Sequence, residues 1–229
     1  MDIKAQQTKL ANNLGKLLRD NFGKGPEAVH VTIYEPYVVI YVSGFVSPME
    51  QVLLNQNEEL QVMTTRELLV KTLEPQITGQ IKGITDLDIQ HLYYDWNLEL
   101  QSGMFIMIHS DKENIANHSY RNQKLLHKEV EEVTQKAEKF PHNVSSYLLD
   151  QRTLLIIREG IMVTIEKELV QLGFEENLTL AKRNLEKRLL YEHSQSLEVI
   201  LDSKVTDILV AWDFHKDKST ILLILNPTS

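Results

Sequence analysis

The sequence predicts an α+β fold of two tandem α-β-β-α-α-β-β units, each a four-stranded, mostly antiparallel sheet with helices on one face. One observation is composition, because 229 residues with 42% hydrophobic and 24% charged side chains suit a globular chain of one large domain or two. A second is that apolar residues alternate between helical and strand spacing in a fixed order. The third is that this order recurs after 116 residues, which predicts units related by a pseudo-two-fold axis, as in a homodimer.

A helix and a β-hairpin open the first half. Apolar residues at helical spacing, among them Leu10 and Leu14, predict an amphipathic helix over residues 3–22. The segment "FGKGP" ends this helix, because glycine adopts the left-handed conformation of a helix C-terminus and proline cannot continue a helix. Alternating apolar residues predict a strand over 28–34, and the β-branched and aromatic run 37–46 predicts its antiparallel partner.

Two helices are expected next. The sequence "SPME" at residues 47–50 carries a capping-box pattern with proline at the first helical position, so a short helix begins there. Thr64 or Thr65 is the expected cap of a long helix over residues 66–84. Pro75 lies inside the apolar pattern of this helix and is expected to kink or split it.

Strands over residues 87–96 and 104–108 complete the first unit, and the pattern then repeats. With an offset of 116 residues, the second half places Gly160 and Glu166 where the first half has Gly44 and Glu50. Towards the C-terminus we align the halves with an offset of 118, and the residue pairs it matches are Asp95 with Asp213, Trp96 with Phe214 and Ile106 with Ile224. The predicted units are residues 1–112 and 120–229, joined by the polar segment 109–122.

Charge and composition exclude several classes of protein. The formal net charge of −8 disfavours nucleic-acid binding, which gains affinity from Lys and Arg neutralising phosphates. The basic cluster of Lys182, Arg183, Lys187 and Arg188 is interleaved with glutamates and is interpreted as a solvated helix face. The chain has no cysteine, so it has no disulfide and no thiolate site. Apolar runs of about ten residues are too short to span a membrane, and the N-terminus shows no secretory signal, so we expect a cytoplasmic protein.

Few residues have the type and spacing expected of a catalytic, metal-binding or ligand-binding site. The eight histidines show no metal-ligand spacing, and no cofactor motif is present, so we expect neither a metal nor a cofactor. Asp95 and Asp213 each lie beside an aromatic residue near a strand end; they could carry a proton, but hairpin-turn initiation is the favoured interpretation. The segment "GKGPE" could form an anion-binding nest of backbone N–H groups with Lys24, although a helix stop is favoured.

The motif residues resemble those of one known family. The residues that carry the resemblance are Gly23, Lys24, Gly25, Pro26, Gly44, Ser47, Pro48, Glu50, Ile84, Thr85 and Asp95. In the MpsC family, similar residues form a glycine–proline motif after the first helix, a motif at the end of the hairpin, and a helix end followed by a strand that closes on aspartate. The second half keeps Gly160, Thr164, Glu166 and Asp213, and it resembles a diverged copy of the same unit.

The resemblance implies a link between the protein and a membrane transport system. The MpsC family is named for a cytoplasmic component linked to a sodium-translocating, membrane-potential-generating system that supports inorganic carbon supply. We therefore expect a non-enzymatic accessory or regulatory protein whose partner is a membrane ion or bicarbonate transport system, and homo-oligomers are a further expectation.

Two alternatives remain at the sequence level. One is an anion sensor in which Gly23, Lys24, Gly25, Pro26 and Asp95 border a ligand pocket. The other is an enzyme that uses Asp95 or Asp213 as an acid–base, and it is the less favoured of the two.

Overall fold

The computed structural model describes residues 2–109 and 119–227. The chain divides into two compact units on either side of residues 110–118. Each unit is α+β with one four-stranded antiparallel sheet, which confirms the predicted fold class of two tandem units. Most of the predicted polar junction falls on residues 110–118, outside the described residues.

The described residues of the first unit form three helices and four strands. In chain order these are α1 (Ile3–Phe22), β1 (Ala28–Tyr34), β2 (Tyr37–Ser43), α2 (Pro48–Leu54), α3 (Glu59–Thr85), β3 (His91–Asn97) and β4 (Ser102–Ile108). Helix α1 and strand β1 have the predicted bounds. Strand β2 ends three residues earlier than predicted, because Gly44 takes a positive φ of 62° and turns the chain out of the sheet.

The second unit repeats this order with one change. Its elements are α4 (Gln123–Ala137), β5 (Asn143–Asp150), β6 (Thr153–Glu159), α5 (Thr164–Gln171), α6 (Glu175–Glu192), α7 (Ser194–Leu201), β7 (Ser203–Asp213) and β8 (Lys218–Pro227). The long helix is divided at His193, whose ring nitrogens bond Glu129 and Lys136 of α4. In the first unit, by contrast, α3 runs as one helix through Pro75. Of the two predicted effects of Pro75, the split is therefore wrong and the kink stays a prediction.

Both sheets have the same strand order, and their registers agree except where a bulge between Leu148 and Asp150 shifts the pairing of β5 with β6 by one residue. The orders are β1-β2-β4-β3 and β5-β6-β8-β7, and every neighbouring pair is antiparallel. Trp96 lies opposite Gly103 and Trp212 lies opposite Ser219, so the offset of 116 holds to the end of each unit. The 118 offset is therefore wrong. A slip of two residues keeps every side chain on its own face, which is why the apolar pattern did not expose the error.

Each unit packs its helices on one face of its own sheet. In the first, Leu10 and Leu14 of α1 and Ile77 of α3 pack with Ile40 and Phe105 of the sheet. The corresponding cluster in the second unit contains residues of α4, α6 and α7 packed on β6, β7 and β8. In the part of the chain that the structure describes, no helix combines the length and the apolar character needed to cross a bilayer.

Two predicted boundaries change for local reasons. Thr64 and Thr65 do not cap α3 but lie inside it, where their hydroxyl groups donate to the carbonyl oxygens of Leu60 and Gln61. Strand β3 begins at His91 instead of residue 87, because α3 extends to Thr85 and Asp86 then takes a positive φ of 64°.

Candidate functional site

The predicted glycine–proline segment acts as a helix stop. Gly23 has a φ of 77° and its N–H donates to the carbonyl oxygen of Arg19, as at a left-handed helix C-cap. A Cβ atom at Gly25 would lie 3.1 Å from the Arg19 side chain, so the segment folds back closely on α1. The N–H of Glu27 donates to Ser43. Two of the N–H groups near Lys24 and Pro26 are thus already bonded within the protein, and an anion site there stays a prediction.

Asp95 does not lie beside that segment. Gly23, Lys24, Gly25 and Pro26 lead into the edge strand β1, whereas Asp95 belongs to β3 at the opposite edge of the sheet. Three strand spacings of roughly 4.8 Å separate the two edges, about 14 Å in all. The structure therefore does not bring the predicted ligand residues together around one pocket.

The two aspartates also differ from each other. Asp213 accepts a hydrogen bond from the N–H of Lys216 at 2.9 Å, which confirms its predicted turn role. Asp95 is fully buried within β3, and the turn after that strand is bonded by Asn97, which accepts from the N–H of Leu100. The constant offset of 116 pairs Asp213 with Asn97, so turn initiation by Asp95 is wrong.

A buried cation joins α2, α3 and the sheet in the first unit. Arg66 of α3 is 0% exposed and donates to both carboxyl oxygens of Glu50, at 2.7 and 3.0 Å, and to the carbonyl oxygen of Phe45. Its guanidinium lies 4.6 Å from the centre of the Trp96 ring. Burial raises the pKa of Glu50, but the hydrogen bond and charge of Arg66 outweigh burial, and the pKa lies below its usual value.

Glu50 also caps the N-terminus of α2. Its carboxylate accepts from the N–H of Ser47 at 2.7 Å, and the Ser47 hydroxyl accepts from the N–H of Glu50. The predicted capping box is therefore confirmed. One carboxylate thus starts α2 and anchors α3 through Arg66, which fixes the angle between the two helices.

The second unit repeats the arrangement with lysine. Lys182 donates to Glu166 at 2.6 Å, and Glu166 accepts from the N–H of Val163 at the start of α5. The ammonium nitrogen lies 3.9 Å from the centre of the Trp212 ring. Glu166, Lys182 and Trp212 each follow their first-unit counterparts by 116 residues. Both copies therefore keep a buried carboxylate–cation–indole group beneath the short helix.

In the second unit, further buried ionisable groups surround Lys182. Lys182 also donates to Glu138 at 2.6 Å, and the Glu138 side chain is 1% exposed. Arg158 donates to Glu186, Thr134 and Ser219. Glu186 accepts in addition from the indole N–H of Trp212 at 2.7 Å. We call this set the polar cluster, and its members are Thr134, Glu138, Arg158, Glu166, Lys182, Glu186, Trp212 and Ser219.

The polar cluster alters the acidity of Glu138. Burial and the neighbouring charge of Glu186 raise the pKa of Glu138 to about 8, in spite of the opposing charges of Lys182 and Arg158. A carboxyl group of this kind exchanges a proton near neutral pH, which an ordinary glutamate does not. Among the described residues, no group of three or more His, Asp or Glu is placed to hold a metal ion.

Sequence reasoning missed these buried charges. Lys182 and Arg183 were assigned to a solvated helix face, yet they are 3% and 5% exposed, so that interpretation is wrong for both. The spacing of a lysine among glutamates is the same on a solvated face and in a buried network, so local pattern cannot separate them. The recurrence of Glu50 with Arg66 as Glu166 with Lys182, both separated by 16 residues, is the signal that could have found them.

Each unit also exposes apolar side chains around its short helix. Met49 on α2 and its counterpart Ile165 on α5 are 77% and 65% exposed. Other exposed apolar side chains near these helices are Val52, Leu60, Leu172 and Phe174. Large apolar side chains are therefore exposed at equivalent positions on the short helices of both copies.

Comparison with known proteins gives one match. The family model described as "Na+-translocating membrane potential-generating system (MpsC)" matches residues 3–111 and again residues 122–227. No curated protein and no solved structure matches the chain. The two matched ranges correspond to the two α+β units, and they support the second unit as a diverged copy of the first.

Proposed function

This chain belongs to the MpsC family, and on that premise we propose that it is a non-enzymatic accessory protein that regulates a membrane ion or bicarbonate transport system. The family description supplies the link to a Na⁺-translocating system. A cytoplasmic location and a role in inorganic carbon supply are parts of the same proposal. The structure contributes the candidate surface through which such a protein would act.

The observation that carries the proposal is the pair of exposed apolar residues Met49 and Ile165. They occupy equivalent positions, each one residue before the buried glutamate of its helix, Glu50 or Glu166. The orientation of both helices is fixed by buried ion pairs. A rigidly oriented helix with an apolar face is suited to contact a partner protein, because little side-chain order has to be gained on binding. We propose that α2 and α5 are the contact elements.

A membrane pull-down tests this proposal. Tagged full-length protein is incubated with detergent-solubilised membranes, and captured proteins are identified by mass spectrometry. We expect a membrane transport protein to be captured, and we expect Met49→Glu with Ile165→Glu to reduce that capture at least tenfold. Val199→Glu is the matched control, because Val199 is also an apolar side chain, 78% exposed, but belongs to a different helix, α7.

The sensor alternative gives a different result. A thermal-shift measurement with bicarbonate, phosphate and nucleotides would show a rise of several degrees for one anion if the protein were an anion sensor. Capture of no transport protein contradicts the proposal, and so does capture that survives the double variant or is lost equally in the Val199 control. We expect folded Asp95→Asn and Asp213→Asn variants to retain the transport phenotype in full, because no carboxylate chemistry is assigned to these two aspartates.

A further inference from the structure

Five of the eight members of the polar cluster occupy positions that have no polar side chain in the first unit. Residue pairs separated by 116 positions are Thr134 and Leu18, Glu138 and Phe22, Arg158 and Val42, Glu186 and Val70, and Ser219 and Gly103. The four side chains on the first-unit side are buried in its core. Two buried acids and an arginine therefore stand where the first copy has Phe and Val. This is costly, since a buried charge needs a partner to offset its lost hydration.

One oxygen of the cluster has no donor among the described residues. Glu138 Oε1 accepts from Lys182, but Oε2 is buried and accepts no hydrogen bond. Glu186 lies next to it, with its two oxygens bonded to Arg158 and Trp212. Two ionised carboxylates have no proton to share, so their contact is repulsive. One added proton turns the same contact into a hydrogen bond and satisfies the orphaned oxygen.

Charge balance leads to the same conclusion. The bonded groups comprise three carboxyl groups, on Glu138, Glu166 and Glu186, and two cations, on Lys182 and Arg158. With every group ionised, this bonded set carries a net charge of −1 in a buried site. Protonation of one carboxyl group makes the set neutral. Glu138 is the group that takes the proton, because Glu166 and Glu186 each accept two hydrogen bonds while Glu138 accepts one.

We propose that the second unit contains a proton-binding site, in which Glu138 takes up one proton from solvent and donates it in a hydrogen bond to Glu186. The groups that face Glu138 are Arg158 from β6, Glu166 from α5, and Lys182 and Glu186 from α6. Arg158 and Lys182 favour the ionised form, whereas burial and Glu186 favour the protonated form. The first unit has no equivalent of this site among its described residues, so proton binding distinguishes the second copy from the first.

Carbon-13 NMR of the full-length protein tests the proposal. With glutamate labelled at the side-chain carboxyl carbon, the resonances are followed from about pH 5 to about pH 10, a range in which ordinary glutamates are already ionised. We expect one glutamate resonance to titrate with a midpoint near 8. The same titration is expected to be absent in Glu138→Gln, which keeps the side-chain shape but cannot ionise.

Two further variants make the assignment specific. Glu186→Gln removes the neighbouring charge, so the midpoint of the high titration is expected to move to lower pH by at least one unit. Glu159→Gln, on the same strand as Arg158, is the matched control: the pKa of Glu159 lies below its usual value, so its removal leaves the high titration in place. The proposal is overturned if no glutamate of the unmodified protein titrates above about pH 6.5, or if the high titration persists in Glu138→Gln.

Discussion

At the residue scale, the buried cation in each unit is the feature on which local packing depends most. Arg66 binds a carboxylate, a backbone carbonyl and an indole ring at once, and each of those groups is buried. Leaving Glu50 buried without its partner costs about 3–5 kcal/mol. The counterpart Lys182 shows that an ammonium group is accepted at the same place in the second copy.

Replacing Arg66 by two residues of different charge gives a graded prediction. Arg66→Ala is expected to lower the free energy of unfolding by about 3–5 kcal/mol, because Glu50 loses both charge and donors. Arg66→Lys is expected to lose less, since one donor to Glu50 is kept. Urea denaturation of the full chain measures both. Lys71→Ala is the control: its pair with Glu67 is exposed, and a change above about 1 kcal/mol there would contradict the argument.

Two equivalent glycines give a second prediction at this scale. Gly44 and Gly160 have φ values of 62° and 67°, and an added Cβ would overlap the carboxyl group of Glu27 in one case and the ring of His142 in the other. Substitution of either by alanine is expected to cost about 1–3 kcal/mol. Gly79→Ala is the control, because nothing lies near its Cβ position within a helix, and it is expected to stabilise by about 0.4–1 kcal/mol. Equal effects at Gly44 and Gly79 in denaturation experiments would refute the conformational argument.

At the scale of elements, sequence pattern predicted what depends on neighbours along the chain. The amphipathic spacing of α1, the stop at Gly23 and the capping box at Ser47 are local, and the structure confirms all three. The expected cap at Thr64 failed because a threonine hydroxyl bonds equally well to a carbonyl oxygen four residues back inside a helix. What pattern could not predict is the division of the second long helix at His193.

Local sequence pattern predicted the candidate site less well than it predicted the elements. Asp95 and residues 23–26 were grouped because both carry family motifs, but strand order puts them at opposite edges of the sheet. Arg158 and Glu186 were not singled out, since no local pattern marks a charge as buried. Their partners lie on other elements, and only tertiary packing brings β6 and α6 together.

Helix α3 supports a prediction of its own. Pro75 is exposed in the interior of this helix, where it has no N–H to donate to the carbonyl oxygen of residue 71. Pro75→Ala is expected to stabilise the protein by up to about 3 kcal/mol, the difference in helix propensity between the two residues. Gln76→Ala is the neighbouring control and should change stability little. A loss of stability in Pro75→Ala, measured by thermal unfolding, would show that the proline is needed for the path of α3.

At the scale of the whole molecule, the two copies share one fold but differ in the residues of their cores. Both units share strand order, the register of their last two strands and the buried carboxylate–cation pair. In both, a glutamate also accepts from the backbone N–H at the start of the short helix. The second has exchanged part of its apolar core for ionisable groups. A duplicated chain is suited to such divergence, because one copy can retain the original core while the other acquires a new property.

Returning the second core to the residues of the first tests this view. Glu186→Val alone is expected to destabilise by about 3–5 kcal/mol, because Arg158 stays buried without its carboxylate. The triple variant Glu138→Phe, Arg158→Val and Glu186→Val carries the residues of the first copy at those positions. Its stability is expected to equal or exceed that of the unmodified protein, since apolar replacements of buried ion pairs are often neutral or stabilising. Urea denaturation measures the stability of both variants. A triple variant that is less stable than Glu186→Val would contradict the view that the second core can return to the apolar residues of the first.

The two units are expected to respond to pH in opposite directions. The pKa of Glu138 is about 8 in the folded protein and ordinary, near 4.5, in the unfolded chain, so between these values the folded state holds the extra proton. The second unit therefore loses stability as pH rises towards 8. The pKa of Glu50 is lowered on folding, so the first unit has that contribution above the ordinary glutamate pKa and loses it on acidification.

Hydrogen exchange of the full chain resolves the two responses, because each amide is assigned to its own unit. After correction for intrinsic exchange rates, protection of core amides in β6 and β8 is expected to fall from about pH 5 to about pH 8 and then to level off, while protection in β2 and β4 changes little. Glu138→Gln should abolish the fall, since the glutamine cannot lose a proton. A parallel fall in both units would mean that alkaline pH acts on the chain as a whole, and the polar cluster would then have no separate role in the second copy.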